Sequence, residues 1–192
     1  MKIKDQQFGV DELKGETIQG NNYSRCRFSS VNLHFSAFVD CSFEDCNFTG
    51  ALFDQTSFES CSFAGSKLSN LDFVGTRLIK CNFDSAVIDQ SYFRGSIEGS
   101  AKKRYDLTTC SFAGTSLERT IFDNCDLRKV GFTLAKLSHA TFERCLLSET
   151  NFTDADIVGT SFRDCILDHT VLSLSGFLSF GQSHGFQLEE SK

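Results

Sequence analysis

The amino-acid sequence predicts a solenoid, a chain wound in stacked coils around one apolar axis. Three observations carry that prediction. A large apolar residue recurs every five positions for nearly the whole length, a small residue recurs two positions before it, and the residues between such pairs are polar. A strict five-residue period matches neither the 3.6-residue repeat of a helix nor the two-residue alternation of a strand, so each unit must turn a corner.

The apolar centres run from Phe8, Leu13, Ile18 and Tyr23 through Phe28, Phe38, Phe43, Phe48, Phe53 and Phe58 to Ile88 and Phe93. They resume at Leu107 and continue through Phe112, Phe122, Phe132, Phe142, Phe152, Leu167 and Leu172 to Phe177. No centre is charged. The position two before a centre holds residues such as Ala51, Thr56, Ser66, Thr76, Ala86, Thr115, Ala135 and Thr160. Centre and small residue together face the axis, and the Ser, Asp, Asn, Arg and Gly between pairs face water.

Units such as Cys46-Asn47-Phe48-Thr49-Gly50 and Ala155-Asp156-Ile157-Val158-Gly159 resemble the pentapeptide-repeat family, over roughly residues 6 to 179. The resemblance implies an all-β fold, a right-handed quadrilateral β-helix with four units per coil and the centres stacked in four columns. Sampling every twenty residues agrees: Leu107, Leu127, Leu147 and Leu167 form one column, and Phe122, Phe142 and Phe162 another. About thirty-three units make about eight coils, and at about 4.8 Å per strand the rod is roughly 40 Å long. Burying each centre is worth about 1.5–3 kcal/mol before entropy, so the core needs no staples.

Taken in order, the chain opens on a polar lid. Gln6, Asp11, Glu16 and Asn21 stand at the minus-two positions of the first coil, as expected of a terminal repeat whose open edge must not pair with another molecule. The first run of centres follows and is interrupted once, because Phe93 to Leu107 is fourteen residues instead of five. This excursion, 94–105, ends in the basic run Lys102-Lys103-Arg104 followed by Tyr105. Insertions in solenoids project from one face, often the binding face, although a tolerated surface loop explains them equally. After the second run, Ser179 to Lys192 leaves the period but keeps Phe180, Phe186 and Leu188. The expected organisation is one solenoid domain over 1–179 and a C-terminal cap or tail over 180–192.

All nine cysteines stand at minus-two positions, which reads as small core residues. The count is odd, no C-x-x-C occurs, and the four histidines lie off the inward positions, so no metal, redox role or cofactor is expected. No G-x-S-x-G, Walker or H-E-x-x-H pattern is present, and a filled solenoid offers smooth faces in place of a catalytic pocket. The expectation is a protein-binding surface and not an enzyme. No stretch is apolar enough to span a membrane, and Met1 to Gln7 lacks a signal-peptide core. The expected compartment is the cytoplasm.

Charge suggests where a partner would bind. The net charge is −6, and Phe28 to Ser66 holds Asp40, Glu44, Asp45, Asp54 and Glu59 with no Lys or Arg. Glu149, Asp154 and Asp156 repeat the pattern between Cys145 and Phe162. Acidic coils on a rod near the width of DNA suit a DNA-binding groove, while the same acids serve solubility alone. A loop rising from a continuous solenoid resembles the Qnr-type quinolone-resistance members, and the lack of a second, N-terminal loop resembles the MfpA-like and immunity-type members. That resemblance implies binding to a type II topoisomerase, DNA gyrase or topoisomerase IV, as a partial DNA mimic that protects it from a quinolone or a toxin. It implies partner contacts from Asp40, Glu44, Asp45, Asp54, Glu59, Lys102, Lys103, Arg104 and Tyr105, and no direct contact with nucleic acid. It also implies a homodimer sealed at the C-terminal end by Phe177, Phe180, Phe186 and Leu188, although those residues could equally cap their own chain. A scaffold or adaptor for another protein partner is the alternative reading.

Overall fold

The computed structural model describes residues 1–98, 101–187 and 189. Through Leu172 the chain winds as a four-sided parallel β-helix. Residues twenty apart pair in register: Ile3 with Tyr23 and Tyr23 with Phe43 on one side, Ile18 with Phe38, then Phe58, then Leu78 on another. Across the excursion the step becomes twenty-nine, as in Phe93 with Phe122 and Asn82 with Ser111. Nine residues are therefore extruded without adding a coil. The four faces carry the columns Phe28–Phe48–Leu68 (first), Phe53–Phe73–Phe93 (second), Phe38–Phe58–Leu78 (third) and Tyr23–Phe43–Phe63 (fourth). Ile3 extends the fourth column one unit below the Phe8 start expected from the sequence.

Aromatic rings stack up the columns and meet edge-on around the corners. Phe93 lies 4.9 Å from Phe122 at 4°, and Phe122 lies 4.8 Å from Phe142 at 3°. Between columns, Phe43 and Phe48 meet at 5.3 Å and 74°. Both geometries suit the ring quadrupole. The minus-two residues do more than fit. Thr56 Oγ1 donates to the Leu33 carbonyl at 2.7 Å, Ser66 Oγ to Phe43 at 2.8 Å, and Cys61 Sγ to Phe38 at 3.4 Å. Each ties its coil to the one below, so Ser, Thr and Cys satisfy themselves in the core where other polar side chains would not.

Corners are made by left-handed residues two positions after a centre. Many are not glycine: Asp40, Asp45 and Glu149 have φ of 53°, 53° and 60°. Phe35 and Leu134, at 64° and 61°, are bulky residues held there while remaining 62% and 65% exposed. At Gly65, φ is +67° and the Asp45 side chain lies where a Cβ would stand. Gly fits there without strain or clash.

On three faces the ladder crosses the excursion unbroken, through Tyr92 with Ile121, Asn82 with Ser111, and Val87 with Ser116. The third face does not follow. Its sheet runs Thr17–Gln19, Ala37–Val39, Ser57–Glu59, Arg77–Ile79 and ends. Tyr105–Asp106 begins a new pair with Cys125–Asp126. Tyr105 occupies a minus-two slot that Thr76 fills one coil below and Cys125 one coil above. Its ring packs 6.3 Å from Phe93, and its hydroxyl is buried without a hydrogen-bond partner. A ring in a slot sized for a hydroxyl wedges the coils apart.

The C-terminus departs from the all-β expectation. A helix, α1 (Leu174–Ser183), follows the last coil, with Ser173 Oγ accepting from Gly176 N–H at 3.2 Å. Phe177 lies on α1 and is 62% exposed, so it is not the inward centre its five-residue spacing suggested. Leu174, Phe177, Leu178 and Phe180 also have helical spacing, and the Ser173 cap decides between the two periods. The repeating coils thus end at Leu172 and not at residue 179. Phe180 turns back to lie 5.7 Å from Phe162.

Candidate partner-binding surface

The five acids of the first coils are all solvent-facing, as their off-axis positions require. They do not share one face. Glu44 stands on the fourth face and Asp45 at its far corner, Glu59 on the third face, Asp40 at the corner between these two, and Asp54 on the second. Asp40 N–H donates to the Glu59 carbonyl at 2.9 Å, which stacks these two positions on successive coils. Asp40, Glu44 and Glu59 therefore gather around one edge, and among the described residues none is in an ion pair.

Three of the acids nonetheless have a basic neighbour in space, Glu44 and Asp45 near Arg25 and Asp54 beside His34. Arg25, one coil below Asp45 at the equivalent corner, bonds Asp5 at 2.8 Å, and the Asp5 carboxylate with Asp45 and Glu44 raises its pKa. His34 Nδ1 lies 3.3 Å from Asp54 Oδ2. The missing signal was the twenty-residue offset: Arg25 lies outside the stretch in sequence but near Asp45 and Glu44 in space, and His34 lies one coil below Asp54. In the later acidic stretch, Glu149 pairs with Lys129 at 3.7 Å and Asp156 accepts from Ser138 Oγ at 2.7 Å.

The excursion is a β-hairpin. Ser96–Glu98 pairs antiparallel with Ala101–Lys103, in the register Ala101 with Glu98 and Lys103 with Ser96. This places Lys103 and Arg104 at the hairpin's base and not at a basic tip. Lys102 is described only as a backbone position in the second strand. Arg104 Nη1 donates to the Arg144 carbonyl at 2.5 Å, tying the base to the second coil above it. Tyr105 faces inward, and burial pushes its phenol well above the ordinary range, so its hydroxyl is no partner contact. Its five-residue offset from Cys110 places it in a minus-two slot, a signal that its place after a basic run obscured.

Of the C-terminal residues, Phe180 packs on the core, while Phe177 and Phe186 are 62% and 70% exposed. Leu188 lies outside the described residues. Ile166, Leu167, Val171 and Leu174 are also exposed, at 52%, 49%, 46% and 77%. The last coil thus ends in apolar side chains that none of the described residues covers fully.

Among the described residues no group of His, Cys, Asp and Glu could hold a metal, and no helix is long and apolar enough to cross a membrane. The cysteines are free and buried except the half-buried Cys165.

This architecture defines a stacked repeat solenoid with a projecting hairpin. A profile of the pentapeptide repeat region matches residues 36–102 and 103–172, and the chain belongs to the pentapeptide-repeat family, with its right-handed quadrilateral β-helix. Among solved structures it is similar to full-length QnrB1, a plasmid-mediated fluoroquinolone resistance protein, with a TM-score of 0.74 at 18% identity over 96% of this chain and 97% of that one. A trypsin-treated QnrB1 variant matches with a TM-score of 0.75 at 19% identity over 99% of both chains. No curated protein sequence matches.

Proposed function

We propose that this chain binds a type II topoisomerase, DNA gyrase or topoisomerase IV, through the acidic edge of its first coils, as a partial DNA mimic. It would thereby protect the enzyme from a quinolone or a topoisomerase-poisoning toxin. The observation that carries the reading is the cluster Asp40, Glu44 and Glu59, none in an ion pair among the described residues, at the edge between the third and fourth faces. A hairpin projects further along the rod from the neighbouring edge between the second and third. A line of carboxylates suits a groove built to receive phosphates. The full-length likeness to a fluoroquinolone resistance protein supports the same partner. The exposed apolar end, with Leu174 and Phe177 on α1, supports a homodimer joined there. The reading includes no catalytic role and a cytoplasmic site of action, where the partner works. The test is gyrase supercoiling and cleavage with and without ciprofloxacin, at rising concentrations of this protein. Restored supercoiling in the drug's presence supports the proposal, and no effect on either activity removes it in favour of a scaffold for another partner.

A further inference from the structure

The broken ladder of the third face leaves hydrogen-bonding groups unused. Elsewhere on that face, coils are joined by bonds such as Arg77 N–H to the Thr56 carbonyl at 2.8 Å and Leu127 N–H to the Leu146 carbonyl at 2.9 Å. Across the seam, among the described residues, the Asp106 N–H finds no backbone acceptor and the Thr76 carbonyl finds no backbone donor. The coils part here because Tyr105 fills the slot between them.

The parting is a pocket of about 480 Å³ whose walls include Arg77, Arg94, Lys103 and Arg104, against one acid, Asp106. Asp106 is turned to its own loop, where Oδ1 accepts from Thr108 N–H at 3.0 Å and Thr108 Oγ1 at 2.7 Å. Arg94 pairs with Asp72 at 2.7 Å and Arg104 reaches the Arg144 carbonyl. The Arg77 side chain makes no hydrogen bond or ion pair among the described residues. A planar guanidinium across from an unclaimed amide donor is a geometry that takes an oxyanion.

We propose that this seam is a binding site for a phosphate-class dianion, held by Arg77 from one side and the Asp106 amide from the other. Phosphate is favoured over a carboxylate because its oxygens can use donors from both sides of the seam at once. The site does not rest on the topoisomerase reading and stands or falls separately.

The test is isothermal titration in phosphate-free buffer, with inorganic phosphate and pyrophosphate as probes and acetate as the carboxylate control. Wild type should bind both phosphates saturably, with affinity falling as salt rises, and acetate should not saturate. Arg77→Gln should weaken phosphate binding about tenfold or more, since a charge-assisted bidentate contact is lost. Tyr105→Thr, which restores an ordinary minus-two residue, should let the ladder close, abolish binding and slow hydrogen exchange at the Asp106 amide. Circular-dichroism melting checks both variants, and if Tyr105→Thr does not fold, Arg77→Gln decides alone. Absence of saturable phosphate binding, equal affinity in a folded Arg77→Gln protein, or equally tight acetate overturns the proposal.

Discussion

Replacing Phe142 by Ala tests the stacked core where it is most complete. Phe142 is fully buried, lies 4.8 Å above the parallel ring of Phe122 and 5.3 Å below that of Phe162, and meets the edges of Phe132 and Phe152 at 5.9 and 5.7 Å. Truncating a buried Phe costs about 3–5 kcal/mol when the site cannot collapse. Collapse is blocked here, because Thr141–Glu143 is held in register to Ile121–Asp123 on one side and Ser161–Arg163 on the other. Two stacked pairs are lost as well, each worth about 0.5–1.5 kcal/mol beyond area. The upper part of the range, about 4–5 kcal/mol, is expected. Phe162 supplies the contrast: it is half-buried, with one stacked neighbour below and Phe180 above. Phe162→Ala should cost about half as much, roughly 2 kcal/mol. Urea unfolding followed by circular dichroism measures both. A loss under about 1 kcal/mol at Phe142, or a larger loss at Phe162, would refute the reasoning.

Thiol titration of the native protein should leave the eight buried cysteines unreactive until denaturant is added: burial pushes Cys46 up to about 12, while Cys41, lowered to about 7 by its hydrogen bond with Cys61, is protected by its inaccessibility alone. Cys165 is more accessible, but its hydrogen bond with Cys145 and its burial raise its pKa, so it should react slowly; rapid labelling of several thiols would remove the core assignment. Replacing Leu174 and Phe177 by Asp should yield a monomer by light scattering if the exposed end forms a dimer, and an unchanged mass counts against that interface. Shortening 95–103 to a tight link should leave the circular-dichroism spectrum intact while weakening drug protection in a cleavage assay, since the hairpin supplies no core centre. Equal protection would show the hairpin to be a passive insertion.

How far the sequence could be read follows from what each signal repeats. The columns were legible because the same choice is made dozens of times, and one wrong unit is outvoted by its neighbours. The hairpin's length and position were legible as a phase shift from Phe93 to Leu107. Phe177 was misplaced because a five-residue step and a helical step are compatible over one turn, and only the Ser173 cap distinguishes them. Tyr105 was misread because its neighbours Lys103 and Arg104 face water, while its offset from Leu107 turns it inward. The acidic stretch looked bare because Arg25 stands near Asp45 and Glu44, and His34 beside Asp54, only through the twenty-residue coil, a distance that scanning for local charge does not see.

The most direct test of the central claim is the binding of gyrase to wild type and to a protein carrying Asp40→Lys, Glu44→Lys and Glu59→Lys, measured across a salt series. These side chains are exposed and outside the core, so the variant should keep its fold by circular dichroism. The account predicts saturable wild-type binding that weakens steeply with salt and no detectable binding by the reversed protein, because the contact is electrostatic. Equal binding by the two proteins, with no dependence on salt, would contradict it.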